Sequence, residues 1–171
     1  GEVIVWETGR AGEEAASYEN LFLRKEIAGF RTNIRREQSC SIKSLTRDYL
    51  YKQLLSSGEY TFDHMLVIKD PYGEAPLTAL ALFILEEPAC VRVTTKGNLK
   101  ETDFVTELPK KKEHRVPILG MYAEKANDIV IEILDDEGNC VKSHTFTIRT
   151  KRLPKSLRNV ITVKKWTDKP A

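Results

Sequence analysis

Residues 66–83 read LVIKDPYGEAPLTALALF: an apolar run, a turn tetrapeptide, then a second and longer apolar run. Two such runs divided by turn chemistry predict a strand, a tight turn and a returning strand. Asp70 can accept a hydrogen bond from the turn backbone, Pro71 fixes φ at about −65° in the next position, and Gly73 can take a positive φ. Pro76 keeps a helix from starting before the second strand. The stretch holds no nucleophile, metal cage or phosphate loop, so its chemistry bears on architecture.

Downstream the apolar period is two. Candidate strands are 64–69, 77–85, 90–96, 114–119, 127–134, 140–149 and 159–164, separated by turn signals at DPYG, EEPA, KGN, ELPKKK and DDEGN. The clearest alternation sets Ile129, Ile131 and Ile133 against Val130, Glu132 and Leu134, before Asp136-Glu137-Gly138-Asn139 turns the chain. Short strands at this spacing predict an antiparallel β-sandwich of immunoglobulin or fibronectin-like type, without the Cys–Trp–Cys signature of antibody domains.

Upstream the period changes. A helix is expected from Glu13 to Ala28, and a second from Ile42 to Leu55, with Ile42, Leu45, Tyr49, Leu50 and Leu54 on its apolar face. Ser39 or Ser41 is the candidate N-cap and Gly58 lies beyond the end. Val3–Trp6 reads as a short strand or an ordered arm. The expected organisation is a helical extension over 1–58, the sandwich over 59–154, and a terminal strand or linker over 155–171.

The chain has 171 residues, 41% hydrophobic and 30% charged, with a formal net charge of +2. That is room for one ordinary domain with an extension and its own core. Such a balance of charge implies no nucleic-acid partner. No window approaches the apolar length of a membrane span, so no membrane insertion is expected. Because the chain opens with Gly1, a processed or trimmed product is expected. Cys40, Cys90 and Cys140 form no closely spaced pair, and their odd number favours free thiols over a Cys90–Cys140 disulfide.

His64, His114 and His144 stand apart from one another in sequence, without metal-ligand or HExxH spacing, and read as structural or surface side chains. Ser39, Ser41, Ser56 and Ser57 read as caps and turn formers. Asp135, Asp136 and Glu137 lack the alternating ligands of a calcium loop and read as a hairpin turn. Two basic clusters, Lys110, Lys111, Lys112 and Arg115, then Lys151, Arg152, Lys155 and Arg158, would attract anions only if they shared a face. Tyr60 and Phe62, two apart, are expected to face the core, and Trp166 to clamp the sandwich or anchor a downstream segment. No cofactor, metal or catalytic residue is expected.

Three segments, LVIKDPYGEAPLTALALF at 66–83, VPILGMYAEKANDIVIEI at 116–133 and HTFTIRTKRLP at 144–154, resemble in order and separation the N-terminal immunoglobulin-like domain of bacterial aryl-sulfate sulfotransferases. Asp70 to Leu80 and Val116 to Tyr122 carry the most specific wording. The resemblance implies a parent enzyme that moves sulfate from a phenolic sulfate ester to another phenol. It also implies that the chemistry belongs to a downstream catalytic β-propeller, where a histidine carries the sulfuryl group and other His and Arg residues stabilise charge. None of the three histidines here falls in a matching motif. Asp70, Pro71, Tyr72, Gly73 and Pro76, with Pro117, Gly120 and Tyr122, are therefore expected to be structural turn residues. The implied partner is the propeller of the same protein, with self-association of subunits as a further expectation and an exported location. A stand-alone adhesive or carbohydrate-binding module is the alternative.

Overall fold

The computed structural model describes residues 2–20 and 40–156, with side chains from Lys43 onward in the second segment. The DPYG turn joins β2 (Leu66–Lys69) to β3 (Ala79–Thr95), which pair antiparallel with Leu66 opposite Leu82 and Lys69 opposite Ala79. Strand side chains alternate between faces. Leu66, Ile68, Leu80 and Leu82 therefore join one buried cluster, while Val67, Ala79, Ala81 and Phe83 join another. Burial on both faces is why these two runs are apolar throughout.

A six-stranded sheet grows from this pair. Strand β1 (Ile4–Trp6) adds to β2 in parallel, the exception in a sheet otherwise antiparallel. Strand β4 (Phe104–Ile118) pairs with β3 along nearly its whole length. The second half of β3 also pairs with β5 (Ala126–Leu134), which pairs in turn with β6 (Cys140–Arg149). Register shifts between Ile84 and Ala89, and between Ala89 and Val91, interrupt the β3–β4 ladder midway. Bulges of this kind bend a strand and sharpen its twist. The sheet consequently curls, so that Val67, Ala81 and Phe83 of the first layer meet Val91, Val93, Ile129, Ile131 and Ile148 of the second. This is a mainly β, immunoglobulin-like architecture built from one continuous sheet.

The bend also corrects the expected turns at EEPA and ELPKKK. Glu86, Glu87 and Pro88 lie inside β3, and Glu107–Lys112 lie inside β4. The candidate strands 77–85 and 90–96 thus merge, and 114–119 extends back to Phe104. Proline suits a bulge, where no ladder N–H is demanded, and the lysines at 110–112 are exposed. Turn-like composition here marks a corner within strands. Candidate strand 159–164 lies outside the described residues.

Helix α1 (Thr8–Ala16) starts before the expected Glu13. Ser17 comes next, and both its backbone N–H and its hydroxyl donate to Glu14 O, at 3.3 and 2.7 Å. The remainder of the expected helix, from residue 21, lies outside the described residues. Helix α2 (Cys40–Ser56) includes the expected span, but among its described side chains, which leave out Ile42, the buried ones are Thr46, Leu50, Tyr51 and Leu55. Leu45, Tyr49 and Leu54 are only half-buried. The stripe is rotated because Tyr51 and Leu55, rather than Leu45 and Tyr49, point at the sheet. With Ala11, Ala15 and Trp6 these side chains cover the outer face of the first layer, against Leu66 and Leu82.

At the end of β4, Gly120 has φ +80°, and a Cβ there would stand 2.7 Å from the Phe104 Cβ. Gly73 has φ +76°, but its nearest non-neighbouring atom, Arg47 Nη2, would be 3.4 Å from a new Cβ. Gly73→Ala should cost about 1–2 kcal/mol, the penalty of the left-handed conformation alone. Gly120→Ala should cost more, because Phe104 must also move. Urea unfolding of the two variants checks this, and equal losses would contradict it.

Candidate functional site

The DPYG turn is the seat of a polar network that fastens α2 to the sheet. Asp70, at φ 49°, accepts the Gly73 N–H on its backbone oxygen at 3.1 Å and the Ala75 N–H on Oδ1 at 3.0 Å. Those bonds aim the Pro71 carbonyl at α2. It accepts hydrogen bonds from Arg47 Nη1, at 3.0 Å, and from the Tyr51 hydroxyl. Arg47 Nη1 also donates to Thr8 Oγ1, at 2.9 Å, drawing in the start of α1. Next to it, the Tyr72 hydroxyl donates to Asp48 Oδ1, and Arg115 of β4 reaches the same oxygen at 2.9 Å and Tyr72 Oη at 3.0 Å.

Burial pushes the Tyr51 phenol up to about 12. Burial raises Tyr72 as well, reinforced by its bond to the Asp48 carboxylate. Both phenols therefore hold their protons and act as donors. Of the expected turn residues, Asp70, Pro71, Tyr72 and Gly73 meet here, together with Arg47, Asp48, Tyr51 and Arg115, which sequence reading did not connect to them. Pro117 sits in β4 opposite Leu80, while Gly120 and Tyr122 lie in the loop beyond β4. The network joins α1, α2 and β4 to the turn within the chain.

The histidines are dispersed. His114 is buried, stacked on Phe83 with ring centroids 5.4 Å apart, and its Nε2 stands 3.0 Å from Ala89 O and 2.8 Å from Lys111 O. Both neighbours are acceptors, so Nε2 carries the hydrogen, and burial lowers the pKa below the ordinary imidazole value. That ring holds the bulge of β3 against β4. His144 Nδ1 lies 3.2 Å from Phe62 O, between the Phe62 and Phe146 rings. His64 is exposed in an isolated bridge with Thr61.

The other candidates are also absorbed by local structure. Asp135 Oδ1 accepts the N–H groups of Glu137, at 3.0 Å, and Asn139, at 2.8 Å, which closes the β5–β6 hairpin. Tyr60 and Phe62 are both buried, yet Tyr60 joins the helix-side cluster and Phe62 the sandwich core, because the chain between them crosses from one side of the first layer to the other. Cys90 pairs with Leu134, which pairs on its other side with Cys140. Two strand spacings put the cysteine Cα atoms about 9–10 Å apart, too far for a disulfide, which needs about 7 Å or less. Both thiols are free.

Lys110, Lys111, Lys112 and Arg115, with Lys52, line an open cleft of about 550 Å³ over the bulge. Lys110 pairs with Asp136 at 3.1 Å and Arg115 with Asp48 at 2.9 Å. The second basic cluster lies at the opposite end of the sandwich, where Arg152 approaches Glu124 at 3.8 Å. The two clusters do not share a face, and Arg158 and Trp166 lie outside the described residues. Among the described residues there is no group of three or more His, Cys, Asp or Glu placed to hold a metal ion.

Two side chains that the sequence did not single out organise the sheet. Arg92 clamps Glu132 through Nε and Nη2, at 3.0 and 3.1 Å, and holds its carboxyl below the usual range. Asn127, fully buried, accepts the Tyr122 N–H at 2.9 Å and donates through Nδ2 to the carbonyls of Tyr122 and Lys125, each at 3.1 Å. An isolated Asn before DIVIEI gives no sequence signal of this, since its partners are backbone groups.

Arg47→Met and Tyr51→Phe should each cost about 1–2 kcal/mol in urea unfolding, and the double variant should depart from additivity because both residues share the Pro71 carbonyl. His114 makes stability depend on pH. Its folded pKa lies below the unfolded one, so the unfolded state takes up a proton first, and stability should fall as pH drops from about 6.5 towards the lowered value. The loss between pH 7.5 and 5.5 should be smaller in His114→Phe than in the parent, whatever the variant's absolute stability.

A search of curated proteins returned no match to the chain. A family model described as the arylsulfotransferase Ig-like domain matches residues 66–151, from the first residue of β2 to just past the end of β6. With strands β2 to β6 of the curled sheet, the two-faced β2–β3 hairpin and the corner at Gly120 inside the matched span, the chain belongs to the arylsulfotransferase Ig-like domain family.

Proposed function

We propose that this chain is the non-catalytic N-terminal part of an aryl-sulfate sulfotransferase, whose parent protein moves sulfate from a phenolic sulfate ester to a phenol. The observation that carries the reading is the family match across the sandwich. It is supported by the way the side chains suited to sulfuryl transfer are used. His114 is spent on two carbonyls, Tyr51 on Pro71, and Tyr72 and Arg115 on Asp48. A nucleophile and its base need to meet at a place where a substrate can sit. Here these four side chains are each committed to another part of the fold.

On this reading the sandwich acts by docking on a catalytic β-propeller of the same protein, or by helping subunits associate, in an exported enzyme. The helices serve the sandwich itself by sealing the outer face of its first layer. With 4-nitrophenyl sulfate as donor and phenol as acceptor, the 171-residue chain should release no 4-nitrophenol above the uncatalysed rate, and the full-length protein should. Turnover by the 171-residue chain would sink the proposal.

A further inference from the structure

The exposed apolar side chains are not scattered evenly. Leu99, Phe104, Leu119 and Tyr122 are 64%, 43%, 41% and 38% exposed, and all lie at the end of the sandwich that holds the corner after β4. Phe104 lies against Gly120, between Leu119 and Tyr122 in sequence. Lys125 ties in the loop of Leu99, since its Nζ donates to Asn98 Oδ1 at 2.8 Å and stands 4.9 Å from the Tyr122 ring centroid. The corner is held firmly by Asn127 from within and by Thr150, whose hydroxyl donates to Tyr122 O. Exposed apolar side chains gathered at one end on a hydrogen-bonded support are the form of an interaction surface.

The chain itself indicates the occupant. After β6 it is fastened to this same corner: the Thr150 N–H donates to Lys125 O at 3.0 Å, and Lys151 O accepts the Glu124 N–H at 3.4 Å. The polypeptide thus leaves the sandwich beside the patch. A domain tethered there meets the patch at a high effective concentration, which a second copy of the chain lacks. The geometry points to this end of the sandwich, centred on Phe104, Leu119 and Tyr122, as the surface that seats an apolar face of the catalytic domain downstream in the same polypeptide. The inference rests on the function proposed above and adds the face and the partner.

Hydroxyl-radical labelling, read by mass spectrometry, compares the full-length protein with the 171-residue chain. Phe104, Leu119 and Tyr122 should be labelled several-fold less in the full-length protein, while Val141, exposed at the other end, should be labelled equally in both. Equal labelling of the patch in the two proteins would overturn the inference. Protection already present in the 171-residue chain would overturn it too, assigning the cover to residues 21–39 or 157–171 if light scattering gives a monomer and to a second copy if it gives a dimer. Sulfate transfer by the full-length protein is assayed on the same samples. Transfer without protection rejects the surface alone, and no transfer rejects the function on which it rests.

Discussion

Two-sided burial of the β2–β3 hairpin is the constraint on which the rest of the structure depends. Leu66, Ile68, Leu80 and Leu82 must be covered on one side, Val67, Ala81 and Phe83 on the other. A single sheet can cover only one face of itself by curling, and the bulges in β3 let it do so. The other face then needs a second layer from elsewhere in the chain. Helices α1 and α2 supply it, which gives the extension a packing role. Each Leu→Ala change along this hairpin would remove contacts worth about 2–5 kcal/mol, a large fraction of the roughly 5–15 kcal/mol that holds a domain together.

Apolar cover alone does not fix where a helix lies, because leucine surfaces tolerate sliding and rotation. The polar network around DPYG supplies direction. Pro71 O offers lone pairs to Arg47 and Tyr51, four residues apart and so on one side of α2. Asp48 faces Tyr72 and Arg115 from the adjacent position. A rotation of α2 by one residue would exchange these partners and strand buried phenols, each costing about 1–3 kcal/mol if left unpaired. The turn chemistry that shapes a hairpin locally thus also sets the register of a distant helix. Arg115 extends the same control to β4.

Sequence legibility tracked the range of the interactions. The DPYG hairpin, the β5–β6 hairpin and α2 were readable because each is defined by neighbours a few residues apart. Asp135 and Asn139 close their turn with local bonds, and Asp70 and Gly73 do likewise. EEPA and ELPKKK misled because a proline between charged residues has the same composition in a loop as at a bulge on a bent strand pair, and only the opposite strand distinguishes the two. The expected face of α2 missed Tyr51 and Leu55 for a related reason. Tyr51 is amphipathic, so its burial depends on whether an acceptor such as Pro71 O waits 20 residues away. Arg92 was invisible in the same sense, since Glu132 and Glu107 come from other strands, and Asn127 because its near partners are backbone groups that carry no side-chain signal.

The three family-like segments gain a shared meaning from their distribution over the fold. The turn at 70–78 comes after β2 and leads into Ala79, which pairs with Ile118, so it adjoins the start of the VPILGMY corner. The final segment passes through Thr150 and Lys151, bonded to Lys125 and Glu124 at the far side of that corner. Parts of segments separated by tens of residues therefore meet at one end of the sandwich. The other end holds the bulge, the lysine-lined cleft and the DDEGN turn, and the second segment reaches it at Ile133, which pairs with Val91 just past the bulge. Tight turns, a buried Asn and a close Phe104–Gly120 contact at the end where the chain departs form a rigid platform. For the docking proposed above, each side chain already ordered before binding would lower the entropy lost on contact.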